Sequence, residues 1–270
     1  MEGVFFDLDK TVIARASMLA LGARFFQEGM ITRRTIVRSL WAQAIYRYLG
    51  ANEKRLKRLE QAVLALTQGW EQSMVLRISS EAIGEIITPL IYREAMDLID
   101  QHHLDGRRVY LVSASPEEIV GPLANFLGVD GYIGSRSKVD PEGRYTGELD
   151  FYAYGPYKVE AIRQLAERNE IDLARSYAYS DSYTDLPMLE LVGHPVAVNP
   201  DRVLARIAKE RGWEIAEFVE TTKVSRPYLL RTLRNALIML ALLAGGSAPL
   251  WVRMLRPRAH GIPSAPRQAR

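Results

Sequence analysis

The chain has 270 residues, long enough to bury a full core as one large domain or two smaller ones, and its 48% hydrophobic and 25% charged composition is that of a folded globular protein. It contains no cysteine, which excludes disulfides, thiolate catalysis and thiolate metal sites. The net charge of +3 is unevenly placed: residues 221–270 hold nine Lys or Arg and no Asp or Glu, leaving residues 1–220 with 26 basic and 32 acidic residues, a net of −6, which argues against a uniformly basic nucleic-acid binder.

Gly3-Val4-Phe5-Phe6 reads as a buried first strand, and it runs directly into Asp7-Leu8-Asp9-Lys10-Thr11. Two like charges at one strand end repel each other unless a cation neutralises them, so the segment points to a divalent metal with one carboxylate left for chemistry. The N-terminus enters this acidic motif by position 7 instead of an apolar signal-peptide region, which makes a cytoplasmic location the default expectation. From Arg15 to about Ile87, apolar positions such as Leu56, Leu59, Val63 and Leu66 recur at helical spacing. Gly29, Gly50-Ala51-Asn52 and Gly69 punctuate the stretch into roughly four helices, an all-helical insert. A further helix is expected from Pro89 to about His103, with His102-His103 at its end in solvent.

Beyond Gly106 strands and helices alternate. Arg108–Val112 reads as a strand, with Pro116-Glu117-Glu118 as the first turn of the next helix. A short strand follows near Tyr132-Ile133, then a hairpin at Asp140–Gly143, a helix from Pro156 to about Asn169 and a strand at Tyr177–Tyr179. A helix at Leu186–Leu191, a strand at Pro195–Val198 and a helix over Asp201–Arg211 close the series. This alternation predicts an α/β fold with a mainly parallel sheet covered on both faces, and such sheets place their sites at the carboxyl ends of the strands. Polar clusters stand at those ends: Ser113-Ala114-Ser115 after one strand and Asp181-Ser182-Tyr183-Thr184-Asp185 after another, with Lys158 in the first turn of the helix before the latter.

In order and spacing, these four motifs across residues 3–199 resemble the haloacid dehalogenase superfamily of phosphohydrolases, in the subfamily that includes phosphoserine phosphatase. The resemblance implies a Rossmann-like core formed by residues 1–14 and 88–220, with residues 15–87 as a helical cap inserted after the first motif. It implies a Mg²⁺-dependent phosphomonoester hydrolase in which Asp7 attacks phosphorus and forms an aspartyl-phosphate. Asp9 then protonates the leaving oxygen and deprotonates the attacking water. Mg²⁺ would be held by Asp7, the backbone carbonyl of Asp9 and Asp181, with Asp185 orienting metal-bound waters. Ser113, the amide of Ala114 and Lys158 would receive the phosphoryl oxygens.

In phosphoserine phosphatases a glutamate nine residues after the nucleophile contacts the substrate's amino group. Here that position is Ala16, so an ammonium-bearing substrate such as phosphoserine is not expected to be favoured. Arg15 and Arg136 are candidate contacts for an anionic substrate. Residues 221–256 form a basic, apolar segment in which 18 uncharged residues lie between Arg234 and Arg253. A spanning helix needs about 20 apolar residues, and Gly245-Gly246 and Pro249 interrupt this run, so an interfacial segment on anionic lipid is the reading that competes with packing on the core or on a second copy. The Pro/Arg/Ala-rich stretch 257–270 reads as disordered. Membrane contact at the inner face of the cell membrane would suit a lysophosphatidate-like substrate. The alternatives are a soluble small-metabolite phosphatase, phosphoserine included, a phosphotransferase, or a tethered phosphate-binding module without turnover.

Overall fold

The computed structural model describes residues 1–32 and 61–222. The helices expected within 33–60, and the C-terminal segment from residue 223 onward, lie outside the described residues. The described chain forms β1 (Gly3–Phe6), α1 (Ser17–Gln27), α2 (Gln72–Ala82), α3 (Arg93–Leu104), β2 (Arg108–Pro116), α4 (Glu117–Leu127), β3 (Gly131–Val139), β4 (Tyr145–Phe151) and α5 (Pro156–Arg168). It continues with β5 (Tyr177–Ser180), α6 (Leu186–Leu189), β6 (His194–Val198), α7 (Arg202–Arg211) and β7 (Glu214–Ala216).

The strands form one seven-stranded sheet in the order β4-β3-β2-β1-β5-β6-β7. Every neighbouring pair is parallel except β3 and β4, which form an antiparallel hairpin. This is the expected mainly parallel α/β fold. The period-2 alternation of side chains sorts the central strands between two cores. Val4, Phe6, Val109, Leu111, Tyr179, Val196 and Val198 face one core, joined by Leu21 and Phe25 of α1, Val75 and Ile78 of α2 and Ile99 of α3. Phe5, Tyr110, Val112, Ala178 and Ala197 face the other, where Ile162 of α5, Met188 of α6 and Leu204 of α7 cover them.

The chain builds outward from β1 through β2 and β3, then returns to place β5 on the other side of β1. The reversal of strand order puts the topological switch point at the carboxyl ends of β1 and β5, where a crevice opens in sheets of this kind. Asp7 follows β1 and Asp181 follows β5, so connectivity alone brings two acidic motifs 174 positions apart to one mouth.

Several boundaries differ from the expected ones. The helix expected from Pro89 starts at Arg93, because Ile91 and Tyr92 are extended: Ile91 bridges Ile13, Tyr92 bridges Thr221, and a π turn (Ile83–Ile87) and a 3-10 turn (Thr88–Leu90) precede them. β2 runs on through Ser113–Ser115 to Pro116, with a register shift against β3 between Val112 and Pro116. β3 has nine residues, since its distal half pairs with β4, and this sets Arg136 inside a strand. β7, a three-residue strand beginning two residues after the left-handed Gly212, was not foreseen. His102, expected in solvent, is 4% exposed, packed edge-on against the stacked rings of Phe6 and Tyr179.

Between β1 and β2 the described residues are helical at 61–67 as well as in α1 and α2. This stretch is stitched to the β3–β4 hairpin by backbone bonds from Gly69 N–H to the Tyr145 carbonyl (2.8 Å), Tyr145 N–H to the Trp70 carbonyl (2.9 Å) and Gln72 N–H to the Gly143 carbonyl (3.0 Å). Among the described residues no helix is long and apolar enough to cross a membrane. Of the expected segment 221–256 only Thr221 and Thr222 are described, and they pair with Tyr92 and Ile91.

Candidate active site

Asp7 continues the line of β1 for one more residue, its N–H donating to the Tyr179 carbonyl at 2.9 Å. The chain then folds into a tight loop in which Val12 and Ile13 N–H both reach the Leu8 carbonyl at 3.0 Å. Lys10 takes a left-handed φ of 68° within it. This loop is pinned from outside by Ala14 N–H to the Leu90 carbonyl (2.8 Å) and Tyr92 N–H to the Val12 carbonyl (2.9 Å), so the two carboxylates of the motif stand on a fixed backbone.

Lys158 is the centre of the site. Pro156 starts α5 with its φ already helical, and Gly155 before it adopts a positive φ of 53°, which turns the chain so that Lys158 in the first turn points inward. Its ammonium donates to Asp7 Oδ1 and to Asp185 Oδ1, each at 2.8 Å. All three residues are buried. Burial opposes the lysine charge, but the two carboxylates outweigh it and hold the ammonium protonated well above its ordinary range. Burial pushes the Asp7 carboxyl up, and the nearby Asp185 and Asp9 charges add to this, while Lys158 draws it down. Asp185 accepts a second bond on Oδ2 from Ser180 Oγ at 2.7 Å. Its two oxygens are therefore directed at Lys158 and Ser180.

Asp181 is 8% exposed, and its carboxyl is pushed up to about 6 by burial, against the pull of Lys10. Lys10 Nζ stands 3.9 Å away and is itself largely in solvent. A buried carboxylate so weakly compensated is a ready cation ligand. Asp9 accepts from Ser17 N–H on Oδ1 (2.7 Å) and from Ser115 Oγ on Oδ2 (3.0 Å). Ser113 is 1% exposed, and its Oγ accepts the Ser115 N–H at 3.1 Å, which leaves its own proton to be donated.

The structure therefore joins Asp7, Lys158 and Asp185 by direct bonds, and links Asp9 to Ser113 through Ser115. Arg136 stands apart from both groups. Its Nε binds Asp150 at 2.6 Å and its Nη1 lies 3.8 Å from Glu117, and it lines a surface cleft with Tyr132, Phe151 and Arg168 that none of the other candidate residues reaches. Arg15 is exposed just before α1, and Ala16 takes the N-cap position of that helix without a side-chain cap. Sequence reasoning gave no role to Lys10, Ser17, Ser115 or Ser180. Ser115 was legible in principle, since two-residue spacing along a strand puts it on the same face as Ser113. Ser17 carried no such signal.

A family model described as haloacid dehalogenase-like hydrolase matches residues 4–190. A probable phosphatase of Mycobacterium tuberculosis is 47% identical over 227 residues, covering 84% of this chain and 77% of its own length. A phosphoserine phosphatase of the same organism is 35% identical over 224 residues, covering 82% of this chain and 72% of its own. The solved structure of a phospho-aspartyl intermediate analogue of phosphoserine phosphatase shares the fold at 18% identity, with a TM-score of 0.55 over 86% of this chain and 99% of that one.

Proposed function

This chain belongs to the haloacid dehalogenase-like hydrolases and is a phosphatase of that family, and from that premise we propose that it hydrolyses a phosphomonoester through an aspartyl-phosphate on Asp7. The observation that carries the reading is the buried Asp7–Lys158–Asp185 bridge at the switch point of the sheet. Lys158 occupies Oδ1 of Asp7 and leaves Oδ2 to attack. In the first step the Asp7 oxygen–phosphorus bond forms as the bond from phosphorus to the leaving oxygen breaks, and a proton on Asp9 passes to that oxygen. In the second, water attacks phosphorus, Asp9 takes its proton, and Asp7 leaves as a carboxylate with inorganic phosphate released. Lys158, the Ser113 hydroxyl and the Ala114 N–H offer donors to the phosphoryl oxygens as charge develops on them.

Mg²⁺ fits the donor set. Asp7 and Asp181 supply two buried carboxylates and the Asp9 backbone a carbonyl, all hard oxygen donors, and an ion that retains several waters needs no larger protein cage. These three residues would hold the ion, which would supply neutralising charge for the phosphoryl group.

For the substrate, a small phosphomonoester has the better support. The relative named phosphoserine phosphatase favours phosphoserine itself, whereas Ala16 brings no carboxylate for an ammonium group. The lysophosphatidate-like reading rests on a segment that lies almost wholly outside the described residues. The test is turnover of 4-nitrophenyl phosphate with and without Mg²⁺, followed by a panel of phosphoserine, other small phosphorylated metabolites and lysophosphatidate. Phosphate release in the absence of any acceptor separates hydrolysis from phosphoryl transfer, and metal-independent turnover would overturn the assignment of the ion.

A further inference from the structure

Ser115 touches both the phosphate-binding strand end and Asp9. It is 6% exposed and lies 2.9 Å, oxygen to oxygen, from Ser17, which is fully buried. A carboxylate can only accept, so the Ser115 hydroxyl proton points at Asp9 Oδ2, and the Ser17 hydroxyl must then donate to Ser115 Oγ. Ser17 also gives its backbone N–H to Asp9 Oδ1. Asp9 is thus clamped on both oxygens, and it stands in for the missing side-chain cap of α1, whose N-cap residue is Ala16.

We propose that Ser115, supported by Ser17, is a positioning residue that fixes the Asp9 carboxyl group for proton transfer to the leaving oxygen and registers it against Ser113. The inference rests on the role assigned to Asp9 above. A carboxylate free to rotate would meet the leaving oxygen less often, and small misplacements of a reacting group cost rate steeply. The Ser115 bond to Ser113 Oγ is donated by the backbone N–H, so replacing the Ser115 side chain keeps it and cuts the bonds to Asp9 and Ser17. Because Ser17 opens α1, any shift of that helix is also transmitted to Asp9.

The test uses substituted phenyl phosphates on the full-length, Mg²⁺-supplied protein, reading the burst of phenol release in single turnovers. A 4-nitrophenolate leaves readily without a proton, whereas phenolate needs one more. Since general acid catalysis contributes about 10²- to 10⁴-fold, partial loss of positioning in Ser115→Ala is expected to slow phenyl phosphate about 10-fold and 4-nitrophenyl phosphate about 2-fold, with KM unchanged. Ser115→Thr, which keeps the hydroxyl, should restore the wild-type ratio, and Ser17→Ala should shift it in the same sense as Ser115→Ala. Should Ser115→Ala fail to fold, Ser17→Ala reads the same clamp. An equal loss on both substrates, or none, would overturn the proposal. Asp9→Asn separates the two levels: if it leaves the leaving-group dependence unaltered, the role of Asp9 fails. If it steepens that dependence while the serine variants do not, only the positioning role fails.

Discussion

Asp185 anchors Lys158: the ammonium lies 2.8 Å from Asp185 Oδ1 and equally far from Asp7 Oδ1, with the lysine side chain 3% exposed. Ser180 holds the other oxygen of Asp185, so the anchor is itself fixed. The lysine reaches Asp7 from α5 while its second partner comes from the loop after β5.

Removing the cation leaves two buried carboxylates without a compensating charge, which typically costs about 3–5 kcal/mol. Lys158→Met is therefore expected to lower the unfolding free energy by about that amount, measured by urea denaturation, and to lose turnover. Asp185→Asn keeps the shape and the Lys158–Asp7 bond. It should destabilise less and lower kcat about 10- to 100-fold, as the loss of a supporting partner usually does. Wild-type stability in Lys158→Met would show that the bridge does not carry the fold.

Asp7→Asn should fold as the wild type does, by circular dichroism and thermal melting, and release no phosphate. The other described carboxylates of the site have different duties: Asp185 is committed to Lys158 and Ser180, Asp9 to Ser17 and Ser115, and Asp181 to the cation it would hold. Detectable turnover by Asp7→Asn, with the preparation shown free of wild-type enzyme, would remove the covalent mechanism.

Metal binding has a readout apart from activity. At 100 times Kd a ligand adds about 2.7 kcal/mol to stability, so Mg²⁺ should raise the melting temperature and Asp181→Asn should abolish the rise. Without metal, the Asp181 carboxyl titrates at about 6 in the folded protein against an ordinary 3.8. The folded state then binds more protons between those values, so this group's contribution is full below 3.8 and is lost as pH rises through about 6. A cation reverses that sense, because it needs the carboxylate ionised. The Mg²⁺-induced shift in melting temperature should therefore shrink between pH 7 and pH 5.

Apart from β7, the strands and the three polar clusters at their ends were legible because buried parallel strands are apolar runs and their carboxyl ends are where polar residues gather. The roles within a cluster were less so. Asp185 sits at a spacing that suits a metal loop, and only the side-chain geometry shows its two oxygens given to Lys158 and Ser180. Arg136 is a candidate contact for an anionic substrate in the sequence, placed just after a short strand; the hairpin with β4 extends that strand and sets Asp150 beside it. His102 followed the rule that polar residues at a helix end face water, but its side chain falls on the face of α3 that covers β1 and β5.

That histidine makes a stability switch that can be measured. Arg107 can only donate, and its Nη1 lies 3.1 Å from His102 Nδ1, so Nδ1 is unprotonated and the ring proton is on Nε2, facing the Tyr179 hydroxyl at 2.8 Å. Protonation would break the bond to Arg107 and bury a second cation beside it. Burial first, and Arg107 next, hold the ring down to about 4 from an ordinary 6.5. Between those values the unfolded chain binds the proton and the folded one does not. The contribution is therefore complete above pH 6.5 and lost as pH falls to about 4, at most about 3 kcal/mol in all. In His102→Gln, the fall in melting temperature between pH 7 and pH 5 should be smaller than in the wild type, even though the variant is less stable at pH 7. An unchanged pH dependence would mean that His102 is not the group that loses stability in acid.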